Sequence, residues 1–94
     1  MLTYKSSYKW SGAIVLGEVL DFAGTIAYGN SLDEARRNLA SALRDMAETN
    51  LLRGEPLPIP DPTKTDADAD LEEPIHLMLQ VGQQVAMTVG AATP

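Results

Sequence analysis

The sequence predicts an α+β domain of the order β-β-β-α-β, in which an antiparallel-rich sheet carries one helix packed on one face. Residues 2–28 contain short apolar runs and period-2 alternation separated by turn residues, a pattern typical of strands. A strongly amphipathic helix pattern follows, and period-2 alternation returns near the carboxyl terminus. With 94 residues the chain has the length of one domain, which we place over residues 1–94.

Three short strands are expected ahead of the helix. The first has period-2 alternation over residues 2–10 and ends at a Ser11-Gly12 turn. The second is a mostly apolar run over residues 13–20, which we expect to pair antiparallel with the first. Residues 25–28 form the third. Gly24 and Gly29 are interpreted as turn residues, because the sequence contains no glycine-rich phosphate-binding pattern.

The helix is the clearest local signal in the sequence. Ser31 and Glu34 form a capping box, in which the Ser31 hydroxyl accepts the amide of Glu34 and the Glu34 carboxylate accepts the amide of Ser31. Gly54 is placed to end the helix at the position after its cap. We expect the sheet and the helix to share one core, made of Trp10, Val15, Val19, Leu39, Leu43 and Met46.

The net charge of −6 is concentrated after the helix. Residues 1–53 contain six acidic and six basic residues, whereas residues 54–94 contain seven acidic residues and Lys64 as the one base. We favour a solvated linker for the acidic run, and a surface that attracts a basic partner is the other interpretation. Because no basic cluster is present, we expect no direct binding of nucleic acid.

Four prolines between residues 56 and 62 predict an extended connector, which we place at about residues 55–73. Apolar odd positions then indicate a strand segment over about residues 75–89. Fifteen residues are too many for one ordinary strand. The segment therefore breaks near Gly82-Gln83 into a hairpin or extends onto a second subunit, and we expect a homodimer or higher oligomer through it.

Membrane association is not expected. The uncharged stretch from residue 74 onward is interrupted by a histidine and three glutamines, whereas a membrane span needs about 20 predominantly apolar residues. The first residues lack the apolar region of a secretion signal. We therefore expect a cytoplasmic protein.

Few residues are candidates for catalysis or metal binding. The chain has no cysteine, and His76 is its single histidine, whereas a metal site needs several converging ligands. Glu18 and Asp21 would hold Mg²⁺ only with carboxylates from other elements, such as Asp45. Asp21 is better explained as a loop residue that caps nearby amides. We therefore expect no catalytic residue, no cofactor and no metal.

Two stretches of the sequence resemble the HicB-like antitoxin family. Residues 17–24 read Gly-Glu-Val-Leu-Asp-Phe-Ala-Gly, and residues 28–35 read Tyr-Gly-Asn-Ser-Leu-Asp-Glu-Ala. They resemble the family pattern E-V-P-D-h-P-G-x-x-x-x-G-D-T/S-h-E-E-A, where h is apolar, and the chain after the helix resembles the family's G-x-P-h-P exit. The resemblance covers about residues 2–62. Leu20 and Ala23 replace two prolines of the pattern.

The resemblance implies a fold similar to a truncated ribonuclease H and the role of an antitoxin. Its implied partner is a small basic mRNA-cleaving toxin of the HicA type, unless the chain is an orphan derivative. A diverged ribonuclease-H-like metal-dependent nuclease is the alternative. Many members carry a DNA-binding domain, which we do not expect here because no helix pair or basic cluster follows the matched core. From this family pattern we expect partner contacts at Glu18, Asp21, Phe22 and Tyr28, and structural roles for Gly24, Gly29, Ser31, Glu34 and Gly54.

Overall fold

The computed structural model describes residues 2–79, which form a four-stranded antiparallel sheet and one helix. The elements in chain order are β1 (Thr3–Ser11), β2 (Ile14–Val19), β3 (Ile26–Gly29), α1 (Leu32–Leu52) and β4 (Leu71–His76). The strands lie in the order β3-β2-β1-β4, so β4 returns to the sheet beside β1. The predicted α+β class and its β-β-β-α-β order are confirmed.

Helix α1 begins and ends with local hydrogen bonds. The Ser31 hydroxyl accepts the backbone amide of Glu34 at 3.1 Å. The Glu34 carboxylate accepts the amide of Asn30 at 2.7 Å, one residue before the amide that the capping box predicted. Gly54 follows the cap residue Arg53 with a φ of 70°, a conformation that favours glycine. Within residues 2–79, no helix is both long and apolar enough to cross a membrane.

One face of α1 packs on the sheet. Its buried residues recur at every fourth position, as Ala35, Leu39, Leu43 and Ala47. The other members of the core come from the strands, from the β2–β3 loop and from the chain after the helix: Tyr4, Tyr8, Val15, Val19, Phe22, Leu57, Ile75 and Leu77. Met46 is partly buried against this core.

The prediction that Trp10 belongs to the core is wrong, since its side chain is 46% exposed. Trp10 lies near the end of β1, on the same face as the buried Tyr8. Strand β4 begins with Leu71 opposite Tyr8, so Trp10 has no β4 residue beside it. The alternating pattern identified the correct face of β1, but the length of the neighbouring strand decided how far the core extends.

Gly29 allows the end of β3 to approach the start of α1 closely. A Cβ atom at this position would lie 2.3 Å from the backbone nitrogen of Ala35. Gly29 does not have the positive φ that the sequence led us to expect, whereas Gly24 has a φ of 84°. Gly24 is therefore the turn glycine, and Gly29 is needed for close packing.

Strand β4 begins earlier than its sequence pattern indicated. Residues 71–73, which the sequence assigned to the connector, are the first half of this six-residue strand. The strand also ends earlier than expected, at His76, so residues 77–79 lie outside it. The remainder of the segment expected over residues 75–89, with its break near Gly82-Gln83 or its pairing with a second subunit, lies outside the described residues.

Two ion pairs accompany the acidic residues of β4. The Lys5 ammonium lies 3.0 Å from the Glu72 carboxylate on one side of the sheet. On the other side, the Arg36 guanidinium of α1 donates two hydrogen bonds to Glu73, at 2.7 and 2.8 Å. Strand propensity alone disfavours consecutive glutamates. Here cations on the neighbouring strand and on the helix compensate their charge.

The segment between α1 and β4, residues 55–70, is here called the strap. The first half of the strap is held to β1 by a hydrogen bond that the Tyr4 hydroxyl donates to the carbonyl of Pro58 at 2.7 Å. Its last residue, Asp70, donates its amide to the carbonyl of Tyr8 at 2.9 Å. The strap is thereby tied to β1 near its start, at Tyr4, and in its second half, at Tyr8.

Asp21 fixes the position at which the strap crosses the end of the sheet. One carboxylate oxygen accepts the amide of Lys5 at 2.8 Å and the other accepts the amide of Asp61 at 2.9 Å. Beside it, the ring of Phe22 packs edge-on against that of Tyr4, with centroids 5.4 Å apart. Burial, with a smaller contribution from the charge of Asp21, raises the pKa of Tyr4 to about 12. The hydroxyl of Tyr4 therefore stays protonated as a donor.

Leu43→Asp should abolish cooperative unfolding near the parent's transition temperature. Leu43 is fully buried under α1, and an unpaired buried charge costs about 3–5 kcal/mol, comparable with the stability of a small domain. Ala40→Asp places the same charge on an exposed position of the same helix and should leave the transition in place. Thermal unfolding followed by circular dichroism distinguishes the two variants, and an unchanged Leu43→Asp transition would contradict this packing.

Asp21→Asn should destabilise the fold by about 1–3 kcal/mol, because the amide group of asparagine cannot accept from both backbone donors at once. Asp45→Asn on the exposed side of α1 removes one negative charge without removing a hydrogen bond within residues 2–79. Urea unfolding of the two variants provides the comparison. Equal midpoints would mean that Asp21 does not anchor the strap.

Candidate partner-binding face

The face of the sheet opposite α1, here called the outer face, has two different halves. On the β1–β4 half, the strap crosses the outward residues of β1, which are the polar Lys5, Ser7 and Lys9. Ser7 is only 2% exposed. The outward residues of the β2–β3 half are mostly apolar: Ile14, Leu16, Glu18, Ile26 and Tyr28.

These five residues of the β2–β3 half are here called the open patch. Three of its members are exposed: Ile14 by 43%, Ile26 by 50% and Tyr28 by 61%. The other two, Leu16 and Glu18, are half-buried. The strand register places Leu16 opposite Tyr28 and Glu18 opposite Ile26. Directly opposite side chains on one face touch each other, so the open patch is continuous.

The four expected partner contacts separate into two pairs. Glu18 and Tyr28 lie in the open patch, on neighbouring strands. Asp21 and Phe22 are 7% and 2% exposed and hold the strap and the core. The sequence did not single out the aliphatic members of the patch, because an apolar run in a strand is ordinarily interpreted as core. These members are Ile14, Leu16 and Ile26.

The acidic run of the sequence is largely occupied by contacts within the chain. Asp66 lies 2.9 Å from the Lys9 ammonium, and this contact raises the pKa of Lys9 and lowers that of Asp66. Glu72 accepts the backbone amide of Asp66, pairs with Lys5 and accepts the hydroxyl of Thr65, which together lower its pKa to about 2. Part of the run therefore fastens the strap to the sheet, which differs from the solvated linker we favoured.

The free edge of β3, beside the open patch, is partly occupied. The side-chain amide of Asn38 donates to the backbone carbonyl of Tyr28 at 2.7 Å. An exposed strand edge invites another strand to pair with it. At Tyr28 this position is already taken by a residue of α1.

A cavity of about 490 Å³ lies between the strap and the β1–β4 half of the sheet. Its walls include Lys5, Asp21, Pro60, Pro62 and Pro74. Each carboxylate oxygen of Asp21 already accepts a backbone amide, and Lys5 is paired with Glu72 of the same lining, so these charged groups are engaged within the chain.

The residues considered for metal chemistry do not come together. Across residues 2–79, no group of three histidine, aspartate or glutamate side chains is placed to hold a metal ion. His76 is exposed on β4, with its ring nitrogen Nδ1 2.9 Å from the hydroxyl of Thr3. Asp45, which we considered as a third carboxylate, lies on the exposed side of α1.

Acid should weaken the attachment of the strap. Because the folded-state pKa of Glu72, about 2, lies below its ordinary value of 4.5, its contribution to stability is present above 4.5 and is lost as the pH falls toward 2. The urea concentration at the unfolding midpoint of the parent should therefore decrease as the pH is lowered from about 6 to about 3. Glu72→Gln should reduce this decrease. Glu55→Gln, whose parent side chain makes no hydrogen bond or ion pair within residues 2–79, is the control. Equal pH dependence in both variants would contradict the assignment.

Comparison with known proteins shows a likeness to a solved structure. No protein-family model matches the sequence, and no curated protein matches it. The crystal structure of the antitoxin HicB of Burkholderia pseudomallei matches with a TM-score of 0.70 and 18% sequence identity, over 100% of this chain and 75% of the HicB chain. At this identity the likeness establishes the fold. The chain therefore has a HicB-like fold, as the resemblance of its motifs predicted.

Proposed function

We propose that the chain is a non-catalytic protein-binding module with an antitoxin-like role in the cytoplasm. The observation that carries this proposal is the structural likeness to the HicB antitoxin over the whole chain. The motif of residues 17–35 also supports it, because its residues resemble the pattern of the HicB-like antitoxin family. The proposed partner is a small basic mRNA-cleaving toxin of the HicA type. An orphan derivative would keep the fold and the binding face without such a toxin.

The distribution of carboxylates supports a role without catalysis. Asp21 uses both oxygens for backbone amides, and Glu18 lies on the outer face without two further carboxylates beside it among the described residues. Two-metal hydrolysis of nucleic acid needs several carboxylates that converge on the ions. The arrangement favours binding over nuclease activity.

We also propose self-association through the segment of residues 75–89. Within its described part, Ile75 and Leu77 are buried, whereas Met78 is 58% exposed. An exposed apolar side chain next to an edge strand favours contact with a second copy. Light scattering compares the oligomeric state of the full chain with that of its Met78→Ser variant, which keeps the buried Ile75 and Leu77 in place. A full chain that is monomeric at high micromolar concentration would contradict this proposal.

The antitoxin-like role predicts inhibition of a HicA-type toxin at a stoichiometric ratio. Increasing amounts of the chain, added to the toxin and a labelled mRNA, should stop cleavage near one chain per toxin. The chain alone, with Mg²⁺ or Mn²⁺, should leave RNA and DNA intact. Undiminished cleavage at a large excess of chain would contradict the toxin partner. Hydrolysis by the chain alone that Glu18→Gln abolishes would favour the nuclease alternative.

A further inference from the structure

We propose that the open patch docks a protein partner that inserts apolar side chains between Ile14, Ile26 and Tyr28 and places a lysine or arginine against Glu18. This inference rests on the proposed protein-binding function and names the surface and the chemistry of the partner. It is carried by the exposure of the patch, by its charge and by the position of the strap.

The strap covers the polar half of the outer face and leaves uncovered the apolar half, which would gain more from burial. It crosses Lys5, Ser7 and Lys9, which are polar, and does not extend over Ile26 and Tyr28, which are 50% and 61% exposed. The free energy gained on burial grows with the apolar area removed from water, whereas polar residues gain little when they are covered. An uncovered continuous apolar surface of this kind is typical of an interaction site.

The charge of the open patch indicates the charge of its partner. Glu18 has no cation within 4.0 Å among residues 2–79, since Lys9, which lies diagonally across from it on β1, forms its ion pair with Asp66. Lys9 lies within electrostatic reach of Asp66, Asp68 and Glu18, so three acids share this one base at the border between patch and strap. A basic side chain of a partner would neutralise Glu18 at the rim of the apolar contact.

The same charge argues against two other occupants. A second copy docked through the same patch would bring two Glu18 carboxylates together in a chain whose net charge is −6. The residues from 80 to 94 contain no lysine or arginine, so this segment offers no cation for Glu18. A basic partner from another chain fits the patch better than either.

The partner is expected to contact the face of the sheet, not the edge of β3. Strand addition requires a free ladder of backbone groups along the edge, and the carbonyl of Tyr28 is occupied by Asn38. Side chains on the face, in contrast, are accessible from solvent. Recognition would therefore depend on side chains, and substitutions at single positions should alter it.

Binding of the HicA-type toxin to variants tests the surface. Ile26→Ser and Tyr28→Ser should each weaken binding at least about tenfold, and Glu18→Lys should weaken it similarly. The matched controls are Leu52→Ser and Ile59→Ser, which remove apolar side chains that are 83% and 66% exposed elsewhere, and Glu55→Lys. The controls should bind like the parent. If the parent binds and the patch variants bind equally well, the open patch is not the docking surface and the proposed function stands.

A second measurement does not depend on the toxin. The ¹⁵N chemical shifts of the full chain would be followed during titration with a capped Lys-Leu-Trp-Lys peptide and with its Glu-Leu-Trp-Glu counterpart. The basic peptide should shift amides of β2 and β3, and the acidic one should not. Shifts confined to the cavity under the strap, equal shifts with both peptides, or no shift with the basic peptide would overturn the proposal, whatever the toxin does. A change of oligomeric state in Tyr28→Ser would instead identify the patch as a contact between copies and would also overturn it.

Discussion

The carboxylate of Asp21 joins three parts of the chain that are distant in sequence. It lies in the loop between β2 and β3, and its two oxygens accept the amides of Lys5 in β1 and Asp61 in the strap. Two hydrogen bonds to one buried anion are geometrically restrictive, so they define where the strap crosses the end of the sheet. Which half of the outer face the strap covers, and which half it leaves open, follows from this crossing.

Ion pairs, like the hydrogen bonds of Asp21, hold distant parts of the chain together. Asp66 and Glu72 meet Lys9 and Lys5 on the outer face, and Glu73 meets a helix arginine on the inner face. Each pair is partly exposed and contributes little alone, but together they position β4 and the strap against β1. The acidic composition of the second half of the chain is therefore largely a structural property. Glu18 differs from these acids, since no base is within ion-pair distance of it among the described residues.

The likeness to the HicB antitoxin persists at 18% identity because backbone contacts do not require the same side chains. Leu20 stands where the family pattern has proline, and its amide donates to the carbonyl of Lys5 at 2.8 Å. A proline could not make this bond. The loop keeps its place beside β1 through a hydrogen bond at this position, and the motif of residues 17–35 remains recognisable around it.

The sequence by itself determined the local elements: their order, the helix between its Ser31 cap and Gly54, and the burial of Leu39 and Leu43 on the helix. These depend on periodicity and on capping residues that act within a few positions. Only the tertiary structure decided that Trp10 is exposed, that β4 begins at Leu71 and that Asp21 and Phe22 are buried whereas Glu18 and Tyr28 face outward. The physical reason is that burial depends on what lies across a strand or a loop. The path of the strap is set by hydrogen bonds and ion pairs between residues far apart in the chain, which no local pattern encodes.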